Sequence, residues 1–244
     1  MALCSLVLSA CGTSAKDDAG SASAPETEVT FEASDGVTLV GRIFGEGDVG
    51  VVLAHMGRPG DTQADWYRLA RALAARGYTA LTYNRRGVCN ARARECSGGS
   101  DDYASSWQDV VGAADFLRER GAREVILIGA SIGAMASLRA LVTGSVDAAA
   151  FVEIAGVNDR SGYAFSREQL EALEGAKLFV SSADDPYSAA DAARAWHRWA
   201  KQPKQLEILP GSAHGTDMLI EGQPTARSLM ELITAFLTRA VPPG

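Results

Sequence analysis

Positive charge is scarce in this chain: 23 Lys and Arg stand against 30 Asp and Glu, a formal net charge of −7. Nucleic-acid backbones are held by basic stripes, so a general nucleic-acid binder is excluded as the natural reading. No run approaches the roughly 18 consecutive apolar residues that a spanning helix needs. There are only four cysteines, and Cys89 and Cys96 have neither zinc-ligand spacing nor a histidine beside them, which speaks against a metal centre. There are only three histidines, so any proton-shuttling base has few places to be. What remains is ordinary: 47% apolar and 22% charged residues over 244 positions suit one soluble domain with a full core.

Residues 1–27 read as separate from that domain. The apolar stretch Ala2 to Ala10 ends in Leu8-Ser9-Ala10-Cys11-Gly12, which resembles the lipobox of bacterial lipoproteins, where the cysteine is acylated and becomes the mature N-terminus. The Ser, Ala, Gly and Asp of Thr13 to Ala24 have the composition of a tether that cannot bury a core. No Lys or Arg precedes the apolar run, although a signal peptide has a positive n-region. The resemblance implies export, with the protein held on the outer side of the cytoplasmic membrane through lipid on Cys11 and touching the membrane nowhere else. The bland alternative is a frayed cytoplasmic N-terminus with a chance cysteine. In an oxidising compartment Cys89 and Cys96, close together in the polar loop Gly87 to Ser100, read as a local disulfide.

Residues 28–244 alternate strand and helix signals. Val29–Val40 carries two alternating runs around Asp35-Gly36, a hairpin pattern. Val49–Ala54, Tyr78–Tyr83, Val125–Ile128, Ala148–Ile154, Lys177–Ser181 and Gln205–Leu209 are apolar strands. Between them apolar residues recur at helical spacing, as in Trp107, Val110, Val111, Ala114 and Leu117. That order means βαβ units: a mostly parallel sheet with helices on both faces, opened by an antiparallel hairpin. Only Asn158–Gly175 has room for a lid, and it is small.

Gly129-Ala130-Ser131-Ile132-Gly133 sits where the strand Val125–Ile128 turns straight into a helix. A Gly-x-Ser-x-Gly pattern proves little alone, but this context lifts a serine off a sheet edge, and its small neighbours let strand and helix approach. A serine hydroxyl needs a base. His197 lies within a helical stripe, and His55 precedes the Met56-Gly57 turn, where it would order backbone. His214 follows the last strand, on the edge where parallel sheets bind ligands, and is the candidate base. Asp184 and Asp185 follow the strand Lys177–Ser181; one of them would orient the imidazole, the other would serve its own turn or a helix N-cap. Asp159, after the preceding strand, is the fallback. The residue after the serine, Ile132, offers a backbone N–H to an oxyanion.

These features resemble the α/β-hydrolase family: Ser131, Asp185 and His214 in that order, His55-Met56 where the family often has His-Gly, Ala75-Arg76-Gly77-Tyr78, Arg86-Gly87, and Pro210-Gly211-Ser212-Ala213-His214-Gly215-Thr216. The matches run from Val29 to Leu237. Asn84 stands where the family usually has Asp, followed by an extra Arg, a change that concerns loop structure more than chemistry. The resemblance implies Asp185 as the acid and Gly57 as the second oxyanion donor, with Met56 the less favoured choice. It implies a serine hydrolase of the esterase kind acting through an acyl-serine on a small carboxylic ester, with no metal and no organic cofactor. The rivals are a peptidase or amidase on the same residues, and a surface binding protein on a degenerate hydrolase scaffold.

Two literal matches carry nothing. Gly45-x-Gly47-x-x-Gly50 has the dinucleotide spacing but precedes a strand and opens no helix. Asp61, Gln63 and Asp65 alternate like calcium ligands without the rest of the loop pattern.

Overall fold

The computed structural model describes Met1, residues 25–90 and residues 93–244. Cys11 and its lipobox lie outside the described residues. Within them, no helix is long and apolar enough to cross a membrane.

The opening strands β1 (Glu26–Glu32) and β2 (Thr38–Phe44) form the expected antiparallel hairpin. Its turn depends on Gly36, whose φ of 83° is open to glycine and costly to most other residues. Pairing reaches back to Glu26 and Thr27, which the sequence had suggested belonged to the tether. The Glu26 carboxylate is held by Arg42 at 3.4 Å and Arg71 at 3.0 Å, and this fixes the strand end.

Next come β3 (Val49–Ala54), α1 (Tyr67–Ala74), β4 (Thr79–Tyr83), α2 (Trp107–Glu119), β7 (Glu124–Ala130), α3 (Ile132–Val142) and β8 (Ala150–Ile154). The last third holds α4 (Arg167–Glu171), β9 (Ala176–Ser182), α5 (Ala189–Trp199), β10 (Lys204–Leu209) and α6 (Ala226–Ala240). The main sheet has eight strands in the order β1-β2-β4-β3-β7-β8-β9-β10, parallel from β4 to β10. β3 and β8 are buried along their whole length, as strands covered on both faces must be. Helices α2 and α3 pack on each other, as do α1 and α6. The segment 158–175 holds only the five-residue α4 and tight turns, so the lid is minimal.

The polar loop after β4 is more ordered than its composition suggests. It folds into a two-stranded ribbon, β5 (Cys89–Asn90) and β6 (Glu95–Cys96), with Cys89 and Cys96 joined by a disulfide. Its anchor is the buried Glu95, which accepts from Arg42 at 2.7 Å and from Gln63 Nε2 at 3.0 Å. Asn84 donates to the Glu95 carbonyl at 2.7 Å and accepts from the Gln63 N–H at 2.9 Å. An aspartate at position 84 could make only the second of these bonds.

Candidate active site

Ser131 lies between β7 and α3 with φ 51° and ψ −117°. A non-glycine residue held there costs about 1–3 kcal/mol, so its surroundings must impose the conformation. They do so by excluding side chains. A Cβ on Gly129 would overlap the Gly133 carbonyl, and one on Gly133 would overlap the Ala54 carbonyl. The Ser131 N–H is tied to the Ile154 carbonyl at 2.9 Å. The hydroxyl is thereby raised above the carboxyl edge of the sheet.

His214 meets it there. Its Nε2 lies 2.8 Å from Ser131 Oγ, and its Nδ1 lies 2.7 Å from Asp185 Oδ2. A carboxylate can only accept, so Nδ1 carries the ring proton and the Nε2 lone pair faces the serine hydroxyl. The other Asp185 oxygen accepts from the Tyr187 N–H at 2.9 Å, and the carboxylate is fully covered. Asp184 points away into solvent, while its N–H bonds the Gly211 carbonyl at 2.9 Å. That bond, Ala183 N–H to the Leu209 carbonyl at 2.8 Å and Ser182 Oγ to the Ala213 carbonyl at 2.6 Å, staple the histidine loop to the end of β9. Asp159 is exposed and makes no bond to His214.

The remaining sequence candidates border the same space. The N–H groups of Gly57 and Ile132 donate to no acceptor among the described residues, and neither does that of Met56. A Cβ on Gly57 would press on the Ile132 side chain, so the two residues face each other across the site. Tyr103 Oη donates to the Gly57 carbonyl at 2.6 Å and fixes that turn. His55 is buried, with Nδ1 2.7 Å from the Met56 carbonyl and Nε2 accepting from the Arg85 N–H at 3.0 Å. Burial, aided by the Arg85 charge, brings its pKa down to about 4, so it is a neutral spacer at neutral pH. His197 is a helix-face residue, edge-on to Phe179.

A cavity of about 270 Å³ opens over Ser131. This is small beside the ~300–1,000 Å³ of ligand pockets in general. Met56, Ile132, Met135 and Val157 supply an apolar wall, and Arg58, Arg160 and Tyr187 part of its polar rim. Arg58 forks onto Asp217 at 2.7 and 2.9 Å and reaches Asp61 at 3.2 Å. The Tyr187 ring packs at a steep angle against His214, with centroids 4.6 Å apart. Sequence reasoning missed Arg160 and Tyr187. Tyr187 had a local signal, because a residue two after an aspartate often closes a turn on its carboxylate. Arg160 had none.

Glu153 was also missed, hidden in the apolar run of β8. Its side chain is wholly buried. One oxygen accepts from the Gly156 N–H, and the other has no partner among the described residues. Burial, with the Asp185 charge as a lesser cause, pushes its pKa up to about 8. The carboxyl therefore stays mostly neutral at pH 7.

Residues 51–176 match the family model described as "Alpha/beta hydrolase family", and the chain belongs to that family. The matched stretch includes Ser131 and stops before Asp185 and His214. Among solved structures, an esterase of Pyrococcus furiosus superposes with a TM-score of 0.71 at 15% identity, over 89% of this chain and 93% of that one. An α/β serine hydrolase without a lid from Xanthomonas campestris gives 0.69 at 20% identity, over 89% and 95%. An esterase of a Rhodococcus species gives 0.68 at 16% identity, over 87% and 99%. At such identities these likenesses speak for the fold. No curated protein matches the sequence.

Proposed function

We propose that the protein is a serine esterase that hydrolyses a small carboxylic ester through an acyl-serine intermediate. The observation that carries this reading is the unbroken line Asp185–His214–Ser131, with hydrogen bonds of 2.7 and 2.8 Å at the open mouth of a cavity. His214 Nε2 takes the hydroxyl proton as Ser131 Oγ attacks the ester carbonyl, and Asp185 stabilises the imidazolium that forms. The developing oxyanion is met by the free N–H groups of Gly57 and Ile132, aided by the positive end of α3. His214 returns its proton to the departing alcohol. It then deprotonates a water that attacks the acyl-serine, and the acid and free Ser131 are released.

The ester, rather than the amide, is favoured by the esterases among the structural neighbours. The small cavity and the minimal lid favour short, soluble substrates over lipid interfaces. The test is a fluorophosphonate label together with turnover of a short-chain aryl ester. The wild type is expected to be labelled on Ser131 and to hydrolyse the ester. Ser131→Ala should lose the label and several orders of magnitude in kcat, because the three residues act as a unit. Near-normal turnover by Ser131→Ala would place the nucleophile elsewhere.

A further inference from the structure

The protein as a whole is acidic, yet one cation on the rim of its cavity has no ion-pair partner among the described residues. Among the described residues lining the cavity, the acid is Asp217, and both its oxygens are taken by Arg58. Arg160 lines the same cavity, is exposed, and forms no ion pair among the described residues.

Arg160 is also held in place. Asp159, Ser161 and Gly162 around it adopt left-handed backbone, with φ of 55°, 54° and 81°. Its N–H donates to the Tyr163 carbonyl at 3.0 Å, and its carbonyl accepts from the Tyr163 N–H at 2.9 Å. Tyr163 is itself buried and donates through its hydroxyl to the Tyr103 carbonyl at 2.7 Å. The guanidinium lies over the Tyr187 ring, 5.0 Å from its centroid, and the same ring packs at a steep angle against His214, with centroids 4.6 Å apart. A stacked guanidinium keeps its in-plane N–H fork free, and that fork matches a carboxylate with two parallel bonds.

We infer that the substrate of this site carries a carboxylate on a short arm from the ester carbonyl, and that Arg160 receives it. The inference rests on the serine-esterase reading above and adds the chemical class of the substrate. Tyr187 is the spacer: it sets the fork one aromatic ring away from His214, so the charged group docks while the ester lies over Ser131. Arg58 does not compete for the charge, because Asp217 and Asp61 already occupy it.

The test uses two pairs of esters, each an anion and the neutral methyl ketone of the same shape. Monoethyl glutarate and ethyl oxohexanoate place the charge on the acyl side. Para-acetoxybenzoate and para-acetoxyacetophenone place it on the leaving group. The quantity read is the anion-to-ketone ratio of kcat/KM, which cancels any general disturbance of Tyr187 or His214. A partly exposed ion pair is worth about fivefold. In the wild type at least one pair should favour the anion by about that factor or more, and added salt should shrink the preference. Arg160→Gln should lower that ratio about fivefold, mainly through KM, and Arg160→Lys should keep part of it. A ratio that is the same in wild type and Arg160→Gln, with the ketone esters still hydrolysed, overturns the role of Arg160 and leaves the esterase reading standing. Failure of every ester together with absence of fluorophosphonate label on Ser131 overturns both.

Discussion

The turn after β3 and the turn after β10 lie at the same edge of the sheet, and each carries a histidine with both ring nitrogens engaged. After β3, His55 is closed in by backbone: the Met56 carbonyl takes one nitrogen and the Arg85 N–H the other. After β10, His214 is engaged by side chains, Asp185 on one nitrogen and Ser131 on the other, and remains partly open to the cavity. Position at a strand end does not make a base. A backbone partner cannot give up or receive a proton at neutral pH, whereas a carboxylate can stabilise the charged ring and a hydroxyl can give it a proton. The β3 turn therefore uses its imidazole to hold the Gly57 turn, and in the function proposed above the β10 turn's imidazole is the one placed to move a proton.

Removing each ring in turn separates the two histidines. His214→Ala is expected to cut kcat on an aryl ester by at least about 10⁴, and because it leaves the covered Asp185 Oδ2 without its partner the thermal midpoint should fall as well. His55→Ala leaves a buried Arg85 N–H and Met56 carbonyl without partners, which costs about 2–3 kcal/mol of stability. Its kcat at low temperature should fall far less. If His55→Ala lost activity to the same degree while staying folded, the division of labour between the two turns would be wrong.

The next test separates the two adjacent aspartates after β9. Asp185→Asn should misorient the imidazole and lower kcat by up to about 10⁴, the size seen in the serine-protease precedent. Asp184→Asn, whose side chain is in solvent, should cost less than about tenfold. The reverse ranking in steady-state kinetics would exchange their roles.

A third test concerns stability against pH. Glu153 has its pKa raised to about 8 in the fold, so from about pH 4.5 upward the folded chain holds a proton that the unfolded chain has lost. Stability from this group is present at low pH and declines up to about pH 8. His55, lowered to about 4, works the other way: its contribution is present above about pH 6.5 and is lost as pH falls toward 4. The two slopes oppose each other between about pH 4.5 and 6.5, and above that the Glu153 decline stands alone. Glu153→Gln should therefore flatten the fall in thermal midpoint between pH 6.5 and 8, and raise the midpoint most at pH 8. An unchanged pH profile would mean that Glu153 ionises normally.

Much of this fold is legible in the chain because its signals are local. The six residues of β3 are apolar, and the strand bounds follow from that run alone. Ser131 is legible because strand, small residues and helix follow one another within a dozen positions. His214 follows from the scarcity of histidine and its place after a strand. Asp184 and Asp185 are harder, since composition cannot say which of two neighbours turns inward. The structure places Asp185 on His214 through the Tyr187 N–H and the stapled loop. Arg160 and Tyr187 are joined only by a tertiary stack, and no spacing in the sequence announces it. The ribbon at Gly87 to Ser100 reads as loop because Glu95, a charged residue, is its buried anchor.

The order of strands also decides which part of the site is lost first. Ser131 follows β7, which has a paired neighbour on each side, whereas His214 follows β10, an edge strand paired only to β9 and partly exposed at five of its six positions. Opening free energies are lowest where backbone bonds are solvent-facing and apolar cover is thin. Fraying at that border would draw His214 away while Ser131 is still clamped in its turn. If Ser131 and His214 act together as proposed, ester turnover should be lost on heating below the thermal midpoint of the whole domain.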